Sequence, residues 1–231
     1  MWNDYFYQLQ KKYNMRVSTK TPLVIRLDGK DVTKDTTLNF LYKFKGSFFD
    51  AFESCAWYFS KKYHCYALFG TDEMNFIFPD PMLVIEDLDP SKINHSNEII
   101  ALFIQYFFDY FNQSYKDKKI FFHGKCFSIP ENKITSYIKY RGSSIQNVIT
   151  TYVLKRNHVK MGKEKIEVRL RKCKELDLYE QIQEIELGVL YFDGKRLDTK
   201  EFLNGNIVEI PSKENIKHSN HEELNIEFLN L

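Results

Sequence analysis

The sequence predicts an α+β fold: an antiparallel sheet with helices on one face, followed by a small C-terminal α/β lobe. Three observations carry this. A short apolar strand over 22–30 ends in Asp28-Gly29, an apolar hairpin over 64–78 turns at Gly70-Thr71-Asp72-Glu73, and helical periodicity precedes and follows the hairpin. Strand, helix, hairpin, helix, strand is the split βαβ order of ferredoxin-like and palm domains. At 231 residues the chain can bury one substantial core.

Tyr5, Phe6, Leu9 and Tyr13 stand at helical spacing and predict an amphipathic first helix over 2–14. In the first strand Leu23, Ile25 and Leu27 alternate with Arg26 and Asp28, so one face is apolar and the other charged. Residues 31–44 are polar and irregular. They read as a loop or short helix that, with Lys30, Lys34, Lys43 and Lys45 around it, is placed to lie over a phosphate chain. Ser47 is positioned to cap a helix whose Phe48, Phe52, Cys55, Ala56 and Phe59 form one stripe, and Lys61 and Lys62 suit its C-terminal dipole. The hairpin strands fall at 64–69 and 73–78 and stop at Pro79-Asp80-Pro81, after which 81–97 reads as connector.

A helix from Ser96 or Asn97 to about 111 is apolar nearly all round, which predicts cover on more than one side by sheet, helix or another subunit. A strand at 119–129 closes at Pro130, and a helix covers 134–155 with Gly142 as a kink. Beyond 157 the texture changes. Residues 163–174 read as a basic helix, and 177–180 as a capping box opening another helix that ends before Gly188. Residues 189–192 and 207–210 read as strands, with turns at Asp193-Gly194 and Asn204-Gly205. The division is therefore expected between a palm-like domain, 1–157, and a C-terminal lobe, 158–231, that is basic at its start and packs on the palm.

Composition narrows the function classes. Cys55, Cys65, Cys126 and Cys173 are widely spaced, with no Cys-x-x-Cys pair and no zinc spacing to histidine. The first twenty residues are polar and charged, unlike a signal peptide. Free thiols in a reducing cytoplasm follow. No apolar stretch is long enough for a bilayer, so no membrane partner is expected. The net charge of +2 hides a basic run: 155–174 holds nine Lys and Arg against two Glu. That run reads equally as a solvated helix face or as an electrostatic footprint for nucleic acid.

An Asp-Gly at a strand end is by itself usually a turn, and an Asp-Glu at a hairpin tip is ordinary. Their combination, with a helix between, is not. In an antiparallel palm the end of the first strand lies beside the tip of the adjoining hairpin. Asp28 and Asp72 would then share Mg²⁺, with the Gly29 carbonyl as a further oxygen. Magnesium retains waters and is commonly held by one or two carboxylates plus substrate phosphates, and paired ions suit phosphoryl or nucleotidyl transfer. The histidines show no nucleophile arrangement with Ser or Cys.

Arg26-Leu-Asp-Gly-Lys30, Phe69-Gly-Thr-Asp-Glu-Met-Asn-Phe-Ile-Phe78, and Phe122-His-Gly-Lys-Cys-Phe-Ser-Ile-Pro130 followed by Tyr137-Ile-Lys-Tyr-Arg141 resemble successive signatures of the tRNA-His guanylyltransferase family and its guanylyltransferase-like 3′–5′ polymerase branch. The resemblance implies a polymerase-type palm and addition of nucleotides to the 5′ end of tRNA or a tRNA-like RNA. It makes Asp28 and Asp72 the catalytic pair and, with Gly29, the ligands of two Mg²⁺ ions. It assigns Lys30, Asp31, Val32, Thr33, Lys34, Thr71 and Glu73 to nucleoside triphosphate binding, GTP and ATP among the substrates. Arg141 and Asn147 are assigned to RNA. A homo-oligomer, a tetramer in relatives, is also implied. The chain departs from the eukaryotic pattern at Val32-Thr33-Lys34-Asp35, which lacks a histidine that helps bind triphosphate there.

Three functions fit these residues. The first is a metal-dependent nucleotidyltransferase working 3′–5′ on RNA 5′ ends, in maturation or repair. The second is a palm-type cyclase or oligonucleotide synthetase acting on NTPs alone, against which the basic run argues mildly. The third is a catalytically inactive RNA-binding palm, against which both aspartates and Gly29 argue.

Overall fold

The computed structural model describes residues 5, 6, 8, 18–30, 32, 47–88, 96–116 and 119–210. Its elements are β1 (Leu23–Gly29), α1 (Ser47–Lys62), β2 (Tyr66–Phe69), β3 (Glu73–Phe78), α2 (Met82–Leu88), α3 (Ser96–Ser114), β4 (Phe122–Ser128), α4 (Ile134–Arg156), α5 (Ile166–Glu175), β5 (Val189–Phe192), β6 (Lys195–Leu197) and α6 (Thr199–Leu203). The strands form one antiparallel sheet in the order β4-β1-β3-β2-β5-β6. The first four follow the ferredoxin-like order, and the C-terminal hairpin extends the same sheet past β2.

Strand alternation assigns the faces. Leu23, Ile25 and Leu27 share a face with Met74, Phe76 and Phe78 across the register. The crossover helices α1 and α3 cover it with aromatic rings. Phe59 and Phe103 lie 5.5 and 5.2 Å from Phe76, and Phe107 meets Phe122 edge-on at 4.9 Å. Such rings bury large apolar areas and gain further from edge-to-face geometry. Gly124 makes room for this layer, since a Cβ there would stand 2.6 Å from Ile100. Helices on one face thus describes α1 and α3. The opposite face, with Arg26, Asp28, Glu73 and Asn75, is covered by α4, whose Tyr137 meets Phe127 at 5.8 Å.

Several elements differ from the sequence reading. The connector over 81–97 contains α2, started by Asp80, whose Oδ1 accepts from the Met82 amide at 3.0 Å, and anchored by buried Val84 and Ile85. Instead of a capping-box helix after Asp177 there are two 3₁₀ turns, Tyr179–Gln181 and Gln183–Ile185, because Asp177 takes a left-handed φ of 54°. A strand not read from the sequence, β6, pairs with β5, and 207–210 contributes one isolated bridge, Glu209 to Leu197, instead of a strand. Helix α4 runs unbroken through Gly142, whose missing side chain admits the Leu187 carbonyl, 2.9 Å from where a Cβ would be.

The predicted first helix lies mostly outside the described residues. Phe6, within it, is helical and buried, packing on Tyr137 and Tyr140 of α4. All four cysteines are free and buried. Among the described residues no helix is long and apolar enough to cross a membrane.

The C-terminal hairpin is fastened to α1. Glu53 of α1, buried, accepts from the Tyr191 hydroxyl at 3.0 Å and from Arg196 at 3.2 Å. At the hairpin's tip the Gly194 amide donates to Ser60 Oγ at 3.1 Å, and Asp193 meets His64 at 2.7 Å.

Candidate active site

The β1–β3 register places Asp28 opposite Glu73, so the end of β1 arrives beside the hairpin tip. Two backbone bonds fix it there: the Gly29 amide donates to the Asp72 carbonyl at 2.8 Å, and the Lys30 amide to the Phe121 carbonyl at 2.7 Å. Glycine is required at 29. A Cβ would lie 2.6 Å from the buried Val32 side chain and 3.4 Å from the Asp72 carbonyl. The hairpin tip is seated equally closely, since a Cβ at Gly70 would stand 2.5 Å from Ile145 of α4.

The Asp28 carboxyl is held above the ordinary carboxylate range, first by burial and then by the neighbouring Asp72, with Arg26 pulling the other way. Two carboxylates that repel at one sheet end form a hard-oxygen site that a cation relieves, so the residues fit magnesium. Among the described residues no group of three or more His, Cys, Asp or Glu forms a metal cage. An ion here would rest on two carboxylates, backbone carbonyl, substrate oxygens and water, the habit of magnesium.

Beneath Asp28 lies a buried ionic cluster. Arg141 of α4 grips Glu73 with two bonds, Nε to Oε1 at 2.8 Å and Nη2 to Oε2 at 2.5 Å. Arg26 reaches the same Oε2 at 2.5 Å and Asp28 Oδ2 at 3.5 Å. Asn75 donates to Glu73 Oε1 at 2.7 Å and accepts from the Tyr137 hydroxyl at 2.8 Å. Burial alone would push Arg141 down, but the Glu73 charge holds its pKa above the usual value.

The structure therefore brings Asp28, Gly29, Thr71, Asp72 and Glu73 together. Two of the assigned roles meet a different setting. Arg141, expected to face RNA, is buried on Glu73, and the Glu73 carboxylate, expected to face nucleotide, is occupied by two guanidinium groups. Thr71 and Val32 are buried, Lys30 is exposed, and Asp31, Thr33 and Lys34 lie outside the described residues. Asn147 is exposed on α4, where Arg169 of α5 donates to its side chain. Asn75, Tyr137 and His123 stand inside the quoted motifs but are given no role at the site by the sequence reading. Asn75 carried one signal, a polar residue two positions from Glu73 in an apolar strand. His123 carried none, because its place opposite Asp28 on β4 depends on register.

A separate cavity of about 430 Å³ opens beside β5 and α6, lined by residues including Tyr179, Glu186, Thr199 and Lys200. Glu186 is fully engaged there, accepting from Gln146 and Tyr179 at 2.5 Å and pairing with Lys200 at 2.8 Å. Asp28 and Asp72 do not line this cavity.

No protein-family model matches the chain, and no curated protein matches it. Solved structures do. A bacterial tRNA(His) guanylyltransferase-like protein in complex with ATP is similar at a TM-score of 0.57 and 16% identity, covering 90% of this chain and 89% of its own. Its counterpart in complex with GTP gives 0.57 and 15%, covering 89% and 87%. The tRNA(His) guanylyltransferase of Saccharomyces cerevisiae gives 0.57 and 15%, covering 83% of this chain and 94% of its own. Along most of its length, this chain has the fold of the tRNA(His) guanylyltransferase structures.

Proposed function

We propose that the protein is a metal-dependent nucleotidyltransferase that adds nucleotides in the 3′–5′ direction to the 5′ end of tRNA or a similar RNA, taking NTPs as donors. The observation that carries this reading is the meeting of Asp28 and Asp72 at one sheet end, on a fold whose similar structures hold ATP and GTP. Asp28, Asp72 and the Gly29 carbonyl would hold magnesium. When bound, magnesium supplies charge neutralisation at the phosphates and activation of the attacking hydroxyl.

The chain's own residues position the reactants. Exposed Lys30, two residues after Asp28, would meet the nucleotide phosphates, and Gly29 lets them approach the backbone. In the reaction the 3′ oxygen of the incoming NTP bonds to the activated 5′ phosphorus of the RNA, and AMP or pyrophosphate leaves. RNA docks on the basic surface where α4 ends and α5 runs. Lys155, Lys160, Lys163, Lys165 and Lys174 are all exposed there, and phosphate neutralisation by such a cluster supplies sequence-independent affinity.

Purified protein with Mg²⁺, NTPs and a 5′-truncated tRNA is expected to extend the 5′ end against the opposite strand. Asp28→Ala and Asp72→Ala are each expected to abolish extension. Extension surviving both substitutions would sink the metal assignment, and a cyclic or oligomeric product from NTPs alone would replace this reading with a synthetase.

A further inference from the structure

We infer that Glu73 is a positioning residue that tethers Arg26 and keeps its guanidinium off the cation site made by Asp28 and Asp72. The inference rests on the metal-site reading proposed above and concerns a residue that would otherwise be grouped with the ligands.

Strand periodicity puts Arg26 and Asp28 on the same face of β1, two residues apart. A guanidinium that close to a half-exposed carboxylate can pair with it in a two-pronged grip, covering both oxygens. Those are the oxygens a cation needs. Here the grip does not form. Arg26 Nη2 lies 2.5 Å from Glu73 Oε2 but 3.5 Å from Asp28 Oδ2, outside good hydrogen-bonding range.

Burial explains which carboxylate wins. The Glu73 side chain is 7% exposed and that of Asp28 is 47%, so water screens the pair with Asp28 and scarcely screens the pair with Glu73. Glu73 is itself immobilised by Arg141 and Asn75. It is therefore a fixed anchor, and Asp28 is left facing outward. If the Glu73 charge is removed, the carboxylate that remains within ion-pair distance of Arg26 among the described residues is that of Asp28. The guanidinium then competes with the cation.

The test reads cation binding directly, without turnover. Mn²⁺ is titrated into the full chain without RNA or NTP and followed by electron paramagnetic resonance, with Mg²⁺ as competitor. Glu73→Gln is expected to weaken Mn²⁺ binding about two- to fivefold, the scale of a single ion pair near the surface. Adding Arg26→Met to Glu73→Gln is expected to restore the affinity, because the competitor is gone. Arg26→Met alone is expected to leave the affinity near that of wild type, because the guanidinium is already held off the site.

A residue that only stapled the core would change the melting temperature and leave these affinities alone. An unchanged Mn²⁺ affinity in Glu73→Gln, or a double variant as weak as Glu73→Gln, overturns the tether. If Glu73→Gln does not fold, Arg26→Met decides, because binding tightened about tenfold or more there would mean that the guanidinium already occupies the site in the wild type, which overturns the tether. Should wild type and Asp28→Asn bind Mn²⁺ alike, the cation site itself falls and the tether with it. Asp28-dependent binding with no response to Glu73→Gln sinks the tether alone.

Discussion

Replacing Arg141 by methionine separates a buried anchor from an RNA contact. The side chain is 8% exposed and makes two charge-assisted bonds to a Glu73 that is 7% exposed. Removing one partner of such a pair leaves a buried charge behind, and the cost runs at about 3 to 5 kcal/mol. Two features of the site lower the figure. Arg26 remains on Glu73 Oε2, and Asn75 remains on Oε1, so the stranded carboxylate keeps one cation and one amide. Methionine also keeps much of the apolar stem packed against Tyr140, over whose ring the guanidinium lies at 5.0 Å. A loss of about 2 to 4 kcal/mol follows, which for a chain of this size lowers the melting temperature by roughly 4 to 16 °C. Urea unfolding and thermal melts measure the loss, and RNA affinity measured below the transition is expected to match wild type. A loss under about 1 kcal/mol together with a fall in RNA affinity would refute the anchor and return Arg141 to the surface role.

Three further outcomes are expected. Gly188→Ala forces a side chain onto a φ of +87° with its Cβ 2.8 Å from both the Phe69 carbonyl and Ile145, so urea unfolding should show a loss of about 2 to 4 kcal/mol, whereas Gly162→Ala, with nothing within 4 Å, should be near neutral. Because the folded Asp28 pKa is raised above 3.8, the native state holds that proton more tightly than the unfolded chain. The stability it confers is full below the ordinary value and is lost as pH rises through the raised one. Asp28→Asn should therefore melt higher than wild type at neutral pH, with the gap closing on acidification, and added Mg²⁺ should raise the wild-type melting temperature only. Combined substitution of Lys163, Lys165 and Lys174 by alanine should weaken RNA binding at all sequences and flatten its logarithmic salt dependence by about one unit per lysine. An unchanged slope would move the docking face elsewhere.

The placement of Asp28 and Asp72 was more legible in the sequence than the burial around them. Asp28 and Asp72 were legible because each sits where a local signal, strand end or hairpin turn, fixes its place. The ferredoxin-like order then brings the two places together. The burial of Arg141 was not legible, because nothing local marks a charged helix residue as buried, and its partner lies 68 positions away across a face that α4 covers. Local signals also failed where tertiary contacts overrode them. Asp177 looked like a helix cap but takes a turn conformation. Lys195-Arg196 carries no apolar run to mark a strand, yet Arg196 is buried because Glu53 receives it. In the first case backbone conformation decided the outcome, and in the second a distant carboxylate did.

The joining of β5 to β2 has a consequence for how the chain is made. Until β5 pairs with it, the backbone of Tyr66–Phe69 on that side has no strand beside it, and Glu53 lacks Arg196. Synthesis proceeds from the N-terminus at about 5 to 20 residues per second, so the interval between the end of β2 and the start of β5 lasts roughly 6 to 24 seconds. For that time the nascent palm carries an open, apolar sheet edge next to an unpaired buried acid, the kind of surface that recruits other chains. The last hairpin thus acts as a closing seam, and the period before it forms is when this protein is most exposed to aggregation.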